Sequence, residues 1–153
     1  MRVWRLTARR HAKRAFSGEG ARLYGGRWNP PGMAMVYTAG TLSLCALELF
    51  VHLDPGQLPD DLVAVSAEIP RGVRVDRLDT AALPRDWRRY PAPESLHQIG
   101  VEWTTAGKSA VLAVPSAVIP AEMNYLLNPV HPQFALLRVE PASPFRFDPR
   151  MGR

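Results

Sequence analysis

Three side chains in this sequence stand in surroundings that suit chemistry. Arg27 lies in the run Gly25-Gly26-Arg27-Trp28-Asn29. Paired glycines let the backbone approach a ligand closely, and arginine offers a planar fork of donors matched to phosphate. A tight turn carrying a solvated arginine accounts for the same run, and spacing alone does not choose between the two. Glu48 is the one charged group in Leu44-Cys45-Ala46-Leu47-Glu48-Leu49-Phe50-Val51, where a charge is costly unless it faces water, a partner or a site. At helical spacing Thr41, Cys45, Glu48 and His52 share one narrow face, a single polar stripe on an otherwise apolar helix. Either that stripe faces a cleft, or Glu48 and His52 form an exposed pair of little energetic value. Ser116 follows the strand end at Val114-Pro115, a position where a hydroxyl meets a ligand or simply completes a Pro-Ser turn. No His or Asp pattern marks it as a hydrolase nucleophile. Gly18 and Gly20 suggest a dinucleotide fingerprint, but Leu23 occupies the third glycine position and no strand-to-helix unit surrounds the pair.

The elements that must position these groups follow from periodicity and punctuation. Arg2 to Leu6 reads as a strand, and the glycine-punctuated stretch from Ser17 to Gly32 as a structured loop that cannot be a regular helix. Met35 to Thr38 is a short strand. Thr41 is placed to cap a helix running to about Leu53, stopped by Asp54-Pro55-Gly56. Leu62 to Ile69 and Val73 to Leu78 read as strands joined through Pro70-Arg71-Gly72, followed by an irregular stretch from Leu83 to Pro93. Leu96, Ile99 and Trp103 recur at helical spacing, with Gly107 suited to end that helix. Ala110 to Val114 is an apolar strand. A polar loop with Asn124, Asn128 and Pro129 comes next, and strands at Ala135 to Val139 and Phe145 to Phe147 close the chain. Strands dominate without regular strand–helix alternation, so the expected class is α+β with largely antiparallel pairing.

At 153 residues and 46% hydrophobic content, the chain has material for one core and too little for two domains with a linker, so residues 1–153 are read as a single domain. The most apolar stretch, Leu42 to Leu53, is interrupted by Ser43, Glu48 and His52, which argues against a membrane span. The N-terminal cluster Arg2, Arg5, Arg9, Arg10, Lys13 and Arg14 has no apolar segment after it, and it is read as part of the fold rather than as a targeting signal. A lone Cys45 excludes an internal disulfide and a cysteine-based zinc site, and a cytoplasmic location fits. His11, His52, His97 and His131 lack ligand spacing, so no metal is expected. The nineteen basic residues are all arginine except Lys13 and Lys108, and the net charge of +5 draws anions: a dinucleotide, a nucleic acid or an acidic protein.

Several motifs in order resemble the RES-domain family: Gly25-Gly26-Arg27-Trp28-Asn29-Pro30-Pro31-Gly32, Val36-Tyr37-Thr38-Ala39, Ala46-Leu47-Glu48, Val114-Pro115-Ser116-Ala117 and Asn124-Tyr125-Leu126-Leu127-Asn128-Pro129. The resemblance spans nearly the whole chain, from Trp4-Arg5 to Phe145-Arg146-Phe147-Asp148. The Arg, Glu and Ser for which that family is named are matched by Arg27, Glu48 and Ser116. The resemblance implies an ADP-ribosyltransferase-like fold with a split sheet and a few helices. It also implies a bacterial toxin that consumes NAD and a Xre-like helix-turn-helix antitoxin.

Cleaving the nicotinamide–ribose bond passes through an oxocarbenium-like centre, which needs negative charge beside the anomeric carbon and a hold on the diphosphate. The resemblance assigns Glu48 to the first and Arg27 to the second. Tyr37 would flank the nicotinamide, Ser116 would hydrogen-bond the nicotinamide ribose or carboxamide, and Asn128 would help shape the pocket. Water or phosphate as acceptor makes the chain an NAD hydrolase or phosphorylase, and a protein side chain makes it a mono-ADP-ribosyltransferase. The reading from another class is a basic RNA-binding module or RNase, supported by the charge and the arginine-rich N-terminus; no helix-turn-helix, RNA-recognition or zinc-finger pattern accompanies it, and no direct nucleic-acid binding is expected.

Overall fold

The computed structural model describes every residue except Pro55 and Arg153. Its strands are β1 (Arg2–Ala8), β2 (Val36–Ala39), β3 (Leu62–Glu68), β4 (Val75–Arg77), β5 (Val111–Pro115), β6 (Met123–Leu127), β7 (Arg138–Val139) and β8 (Ser143–Pro144). The helices are α1 (Glu19–Tyr24), α2 (Leu42–Phe50) and α3 (Ser95–Ala106). The strands form one sheet in the order β4-β5-β6-β2-β1-β3-β7, with β8 also on β3. Among the described residues only β4 and β5 pair in parallel. The α+β, mostly antiparallel class expected from the sequence is therefore the one observed.

The sheet is nearly divided in two, and the division places the site. β1 follows β3 from Arg2↔Glu68 to Ala8↔Leu62, and β2 follows β6 from Val36↔Leu127 to Ala39↔Asn124. β1 and β2 meet only at Trp4↔Ala39. Beyond that rung the halves part, and Arg5 Nη1 donates to the Tyr37 carbonyl at 2.9 Å in place of a ladder bond. One face of the sheet carries both long helices. α3 packs Leu96 and Trp103 on Leu112, Val114 and Leu126, while α2 packs Leu44 and Cys45 on Leu6, Ala39 and Ala64. The opposite face buries Val3, Val36, Val63, Val65, Val111 and Leu127 beneath Phe16. The space between α2 and α3, over the parting of β1 and β2, becomes the cleft.

The helix ends follow their expected causes. The Thr41 hydroxyl accepts from Leu44 N at 3.1 Å to start α2. Gly107 closes α3 with φ of 57°, a left-handed conformation that glycine adopts without penalty. The expected stop at Asp54-Pro55-Gly56 includes Pro55, which lies outside the described residues. Among the described residues no helix is long and apolar enough to cross a membrane.

Three local expectations are corrected. The stretch from Ser17 to Gly32 does contain a helix, α1, because Gly18 and Gly25 stand at its two ends rather than inside it; Arg22 and Glu19 pair across one of its turns at 2.6 Å. The polar loop around Asn124 is strand β6, laddered to both β2 and β5. At the C-terminus, Pro132–Leu136 is a 3-10 turn, and the strands shrink to β7 and β8. Phe145 instead donates its backbone N–H to Leu62 O at 3.0 Å, and Phe147 packs against Phe50 and Phe145 at centroid distances of 5.8 and 5.2 Å.

Candidate active site

The cleft encloses about 1110 Å³. α2 contributes Cys45 and Glu48 to its lining, and the turn just after the helix contributes His52, so this polar stripe faces the cleft and not bulk solvent. No Glu48–His52 ion pair forms among the described residues; His52 instead lies against the Tyr90 ring at a centroid distance of 5.5 Å.

Glu48 is held from behind. Its Oε1 accepts from the Ser116 hydroxyl and from Asn124 Nδ2, both at 2.6 Å. Ser116 is wholly buried, and its Oγ also accepts from Val118 N at 3.1 Å and Ile119 N at 2.9 Å. The ends of β5 and β6 thus deliver one donor each to the same carboxylate oxygen. Glu48 Oε2 has no hydrogen-bond partner among the described residues, while Glu48 itself lines the cleft. Ser116 was expected to touch a ligand. It is absent from the cleft lining, and its hydroxyl proton is already given to Glu48.

Arg27 is presented by a loop fixed from three sides. The Asn29 side chain, wholly buried, donates through Nδ2 to the carbonyls of Ala21, Pro30 and Met33 at 2.9–3.0 Å. Tyr37 donates its hydroxyl to Asn29 Oδ1 at 2.7 Å and accepts from Trp28 N at 2.9 Å. A Cβ at Gly26 would stand 2.5 Å from the Tyr37 hydroxyl, which is why glycine is needed there. From α3, His97 Nε2 lies 2.9 Å from the Gly26 carbonyl. At Gly100 a Cβ would fall inside the Trp28 carbonyl, so only glycine lets the helix dock on the loop. Arg27 Nη1 donates to the carbonyls of Trp87 at 2.7 Å and Arg89 at 3.2 Å. Its remaining donors have no partner among the described residues, and the side chain lines the cleft. Burial pushes its pKa down from the ordinary value, opposed by the charge of Glu48 and by Tyr37.

The structure adds Arg5 to this set. Its side chain lines the cleft, and its Nε is buried without a partner. Burial pushes its pKa down from the ordinary value, opposed by Cys45. Arg88, whose Nε donates to the Ala117 carbonyl at 3.0 Å, also lines the cleft, so three guanidinium groups meet one carboxylate, Glu48, among the described lining residues. Burial also pushes the phenol of Tyr37 well above its ordinary value and the thiol of Cys45 up to about 11, so both stay protonated near neutral pH. Tyr37 offers the cleft a ring whose hydroxyl is already engaged. Asn128 lies apart from this set: its side-chain oxygen accepts from Val130 N at 3.1 Å in the turn after β6, and it does not line the cleft. Asn124, on the preceding strand, stands where Asn128 was expected. Among the described residues no three His, Cys, Asp or Glu side chains gather in a metal-binding group.

With this geometry established, the likenesses to known proteins are specific. A family model described as the RES domain matches residues 2–148. The chain is 42% identical over 134 residues to a protein of Photorhabdus laumondii named Toxin Res, spanning 88% of this chain and 85% of that one. It is 36% identical over 154 residues to a Sphingobium protein named Prs ADP-ribosylating toxin, spanning 98% and 96%. The crystal structure of the M. tuberculosis MbcT–MbcA toxin–antitoxin complex contains a chain of the same fold, with a TM-score of 0.72 at 18% identity, covering 98% of this chain and 85% of that one.

Proposed function

The chain belongs to the RES-domain family, and we propose that it is the toxin of a bacterial toxin–antitoxin pair that breaks the nicotinamide–ribose bond of NAD. The observation that carries this reading is the carboxylate of Glu48, fixed by Ser116 and Asn124 and facing a cleft that Arg5, Arg27 and Arg88 also line. A dinucleotide suits such a cleft. The volume lies just above the range of ordinary ligand pockets, about 300–1000 Å³, and the free donors of Arg27 and Arg5 match the diphosphate.

In this mechanism Arg27 and Arg5 hold the diphosphate while Tyr37 bounds the nicotinamide side. Glu48 places a negative charge beside the ribosyl carbon as the bond to nicotinamide lengthens and positive charge develops there. A charge set in advance in a partly dehydrated cleft stabilises that transition state more than the ground state. Ser116 and Asn124 contribute by keeping the carboxylate in one orientation, so no reorganisation is required at the moment of reaction. Nicotinamide leaves with the bonding pair, and the acceptor completes the new bond to the ribosyl carbon.

Our first reading of the acceptor is a small nucleophile, water or phosphate, which a cleft of this volume admits beside a bound dinucleotide. The second is a protein side chain, favoured by the Sphingobium relative that is named an ADP-ribosylating toxin. A Xre-like helix-turn-helix antitoxin is the partner that the family resemblance implies, and the MbcT–MbcA complex is a structural precedent for such pairing. Adenylate-labelled NAD, supplied with and without phosphate and with and without cell lysate, tests both readings. Soluble ADP-ribose or its phosphorylated form supports the first. Label on a discrete protein band, lost with Glu48→Ala, supports the second. No loss of NAD in any arm contradicts the function.

A further inference from the structure

Asn124 carries an atom that the mechanism has not used. Its Nδ2 donates to Glu48 Oε1 at 2.6 Å, while its Oδ1 is buried and has no partner. The orientation of the amide is not free. A carboxylate only accepts, so turning the amide over would set oxygen against oxygen at the same short distance. Its backbone lies mid-sheet, between Ala39 of β2 and Val114 of β5. Asn124 lines the cleft. The result is a dehydrated acceptor beside the carboxylate, and leaving such an acceptor without a donor is costly.

Taking NAD cleavage at Glu48 as the reading on which this rests, we infer that Asn124 is a substrate-contacting specificity residue whose Oδ1 accepts a hydrogen bond from the nicotinamide riboside half of the dinucleotide. The chemistry narrows the choice of donor. Phosphate oxygens and ring ethers only accept. The adenine amino group lies at the far end of the molecule from the bond that Glu48 attends. The donors within reach of a group bonded to Glu48 are the 2′- and 3′-hydroxyls of the nicotinamide ribose and the carboxamide N–H. One side chain therefore serves two tasks: its nitrogen orients the carboxylate, and its oxygen checks that the correct half of NAD lies against it. A ligand presenting an acceptor at that position would meet Oδ1 as a repulsion, which is discrimination by an unpaired polar group.

The experiment is a cycle between protein and substrate. Initial rates give kcat/KM for NAD, 2′-deoxy-NAD, 3′-deoxy-NAD and nicotinic acid adenine dinucleotide, with the native chain and with Asn124→Ala. For the native chain, one of the three analogues is expected to fall by about tenfold, the scale of one buried hydrogen bond, and its identity names the donor. Asn124→Ala is expected to lose at least tenfold on NAD and to process that analogue no worse than NAD, because the two perturbations remove the same contact. If the variant does not fold, the native chain still decides: equal kcat/KM on all four dinucleotides overturns the inference. So does a variant that keeps the native discrimination while NAD is still consumed, and that outcome leaves the proposed function standing. A native chain that consumes none of the four overturns both.

Discussion

Replacing Ser116 with alanine separates a residue that orients the carboxylate from one that touches substrate. The hydroxyl is wholly buried, donates to Glu48 Oε1 at 2.6 Å and accepts from two backbone N–H groups, those of Val118 and Ile119. Removing it strands both N–H donors and leaves Asn124 as the remaining donor to Glu48. Two stranded groups at about 1–2 kcal/mol each give a destabilisation of about 2–4 kcal/mol. In a chain of this length that lowers Tm by roughly 5–15 °C. Losing one charge-assisted bond to the carboxylate, worth about 1.5–3 kcal/mol, is expected to lower kcat for nicotinamide release by about 10- to 100-fold. KM for NAD is expected to change little, because Ser116 does not line the cleft. Thermal unfolding and initial-rate kinetics on the same preparation measure both quantities. A rise in KM with kcat preserved would refute this reasoning and return Ser116 to the substrate, where its sequence position had suggested it.

Gly100→Ala is expected to destabilise by about 2–3 kcal/mol and to weaken NAD binding, since the added methyl meets a backbone carbonyl of the Arg27 loop that cannot swing away; chemical denaturation and KM check it. Arg27→Lys is expected to raise KM at least tenfold, because lysine cannot hold the Trp87 and Arg89 carbonyls and still present a fork to phosphate. For Cys45, burial raises the thiol pKa from 9.0 to about 11. The folded state thus favours the protonated thiol: this contribution is fully present below pH 9 and is lost as pH rises to about 11, by up to about 2–3 kcal/mol. Stability measured across that window is expected to fall more steeply for the native chain than for Cys45→Ala, and equal slopes would count against a buried neutral thiol.

The parts of the site legible in the sequence are those whose environment is local. Glu48 stood out because its neighbours in the chain are apolar and the helix period puts Cys45 and His52 on its face, the face that lines the cleft. Thr41 and Gly107 act through bonds within a turn and sit where expected. Asn124 was assigned to a loop because asparagine is unfavourable in strands by composition; its place in β6 is made tenable by Glu48, 76 residues away in sequence. Arg5 was missed for a related reason. In β1 it reads as one member of an alternating strand, and only the parting of β1 from β2 turns its guanidinium toward the Tyr37 carbonyl and the cleft. The available signal was an arginine between Val3 and Leu6, the two buried residues of the strand. α1 was hidden by its glycines, of which Gly18 and Gly25 cap the helix and Gly20 lies in its first turn.

In the proposed reaction Glu48 acts at the nicotinamide–ribose bond. Free nicotinamide released from NAD by the purified chain, measured beside a folded Glu48→Gln variant that keeps the shape of the side chain but not its charge, tests that claim most directly. Steady release by the native chain is expected, with a loss of at least 100-fold in the variant, the scale of removing one preorganised electrostatic group. Undiminished release by folded Glu48→Gln, or no release by the native chain with or without phosphate and lysate, would contradict it.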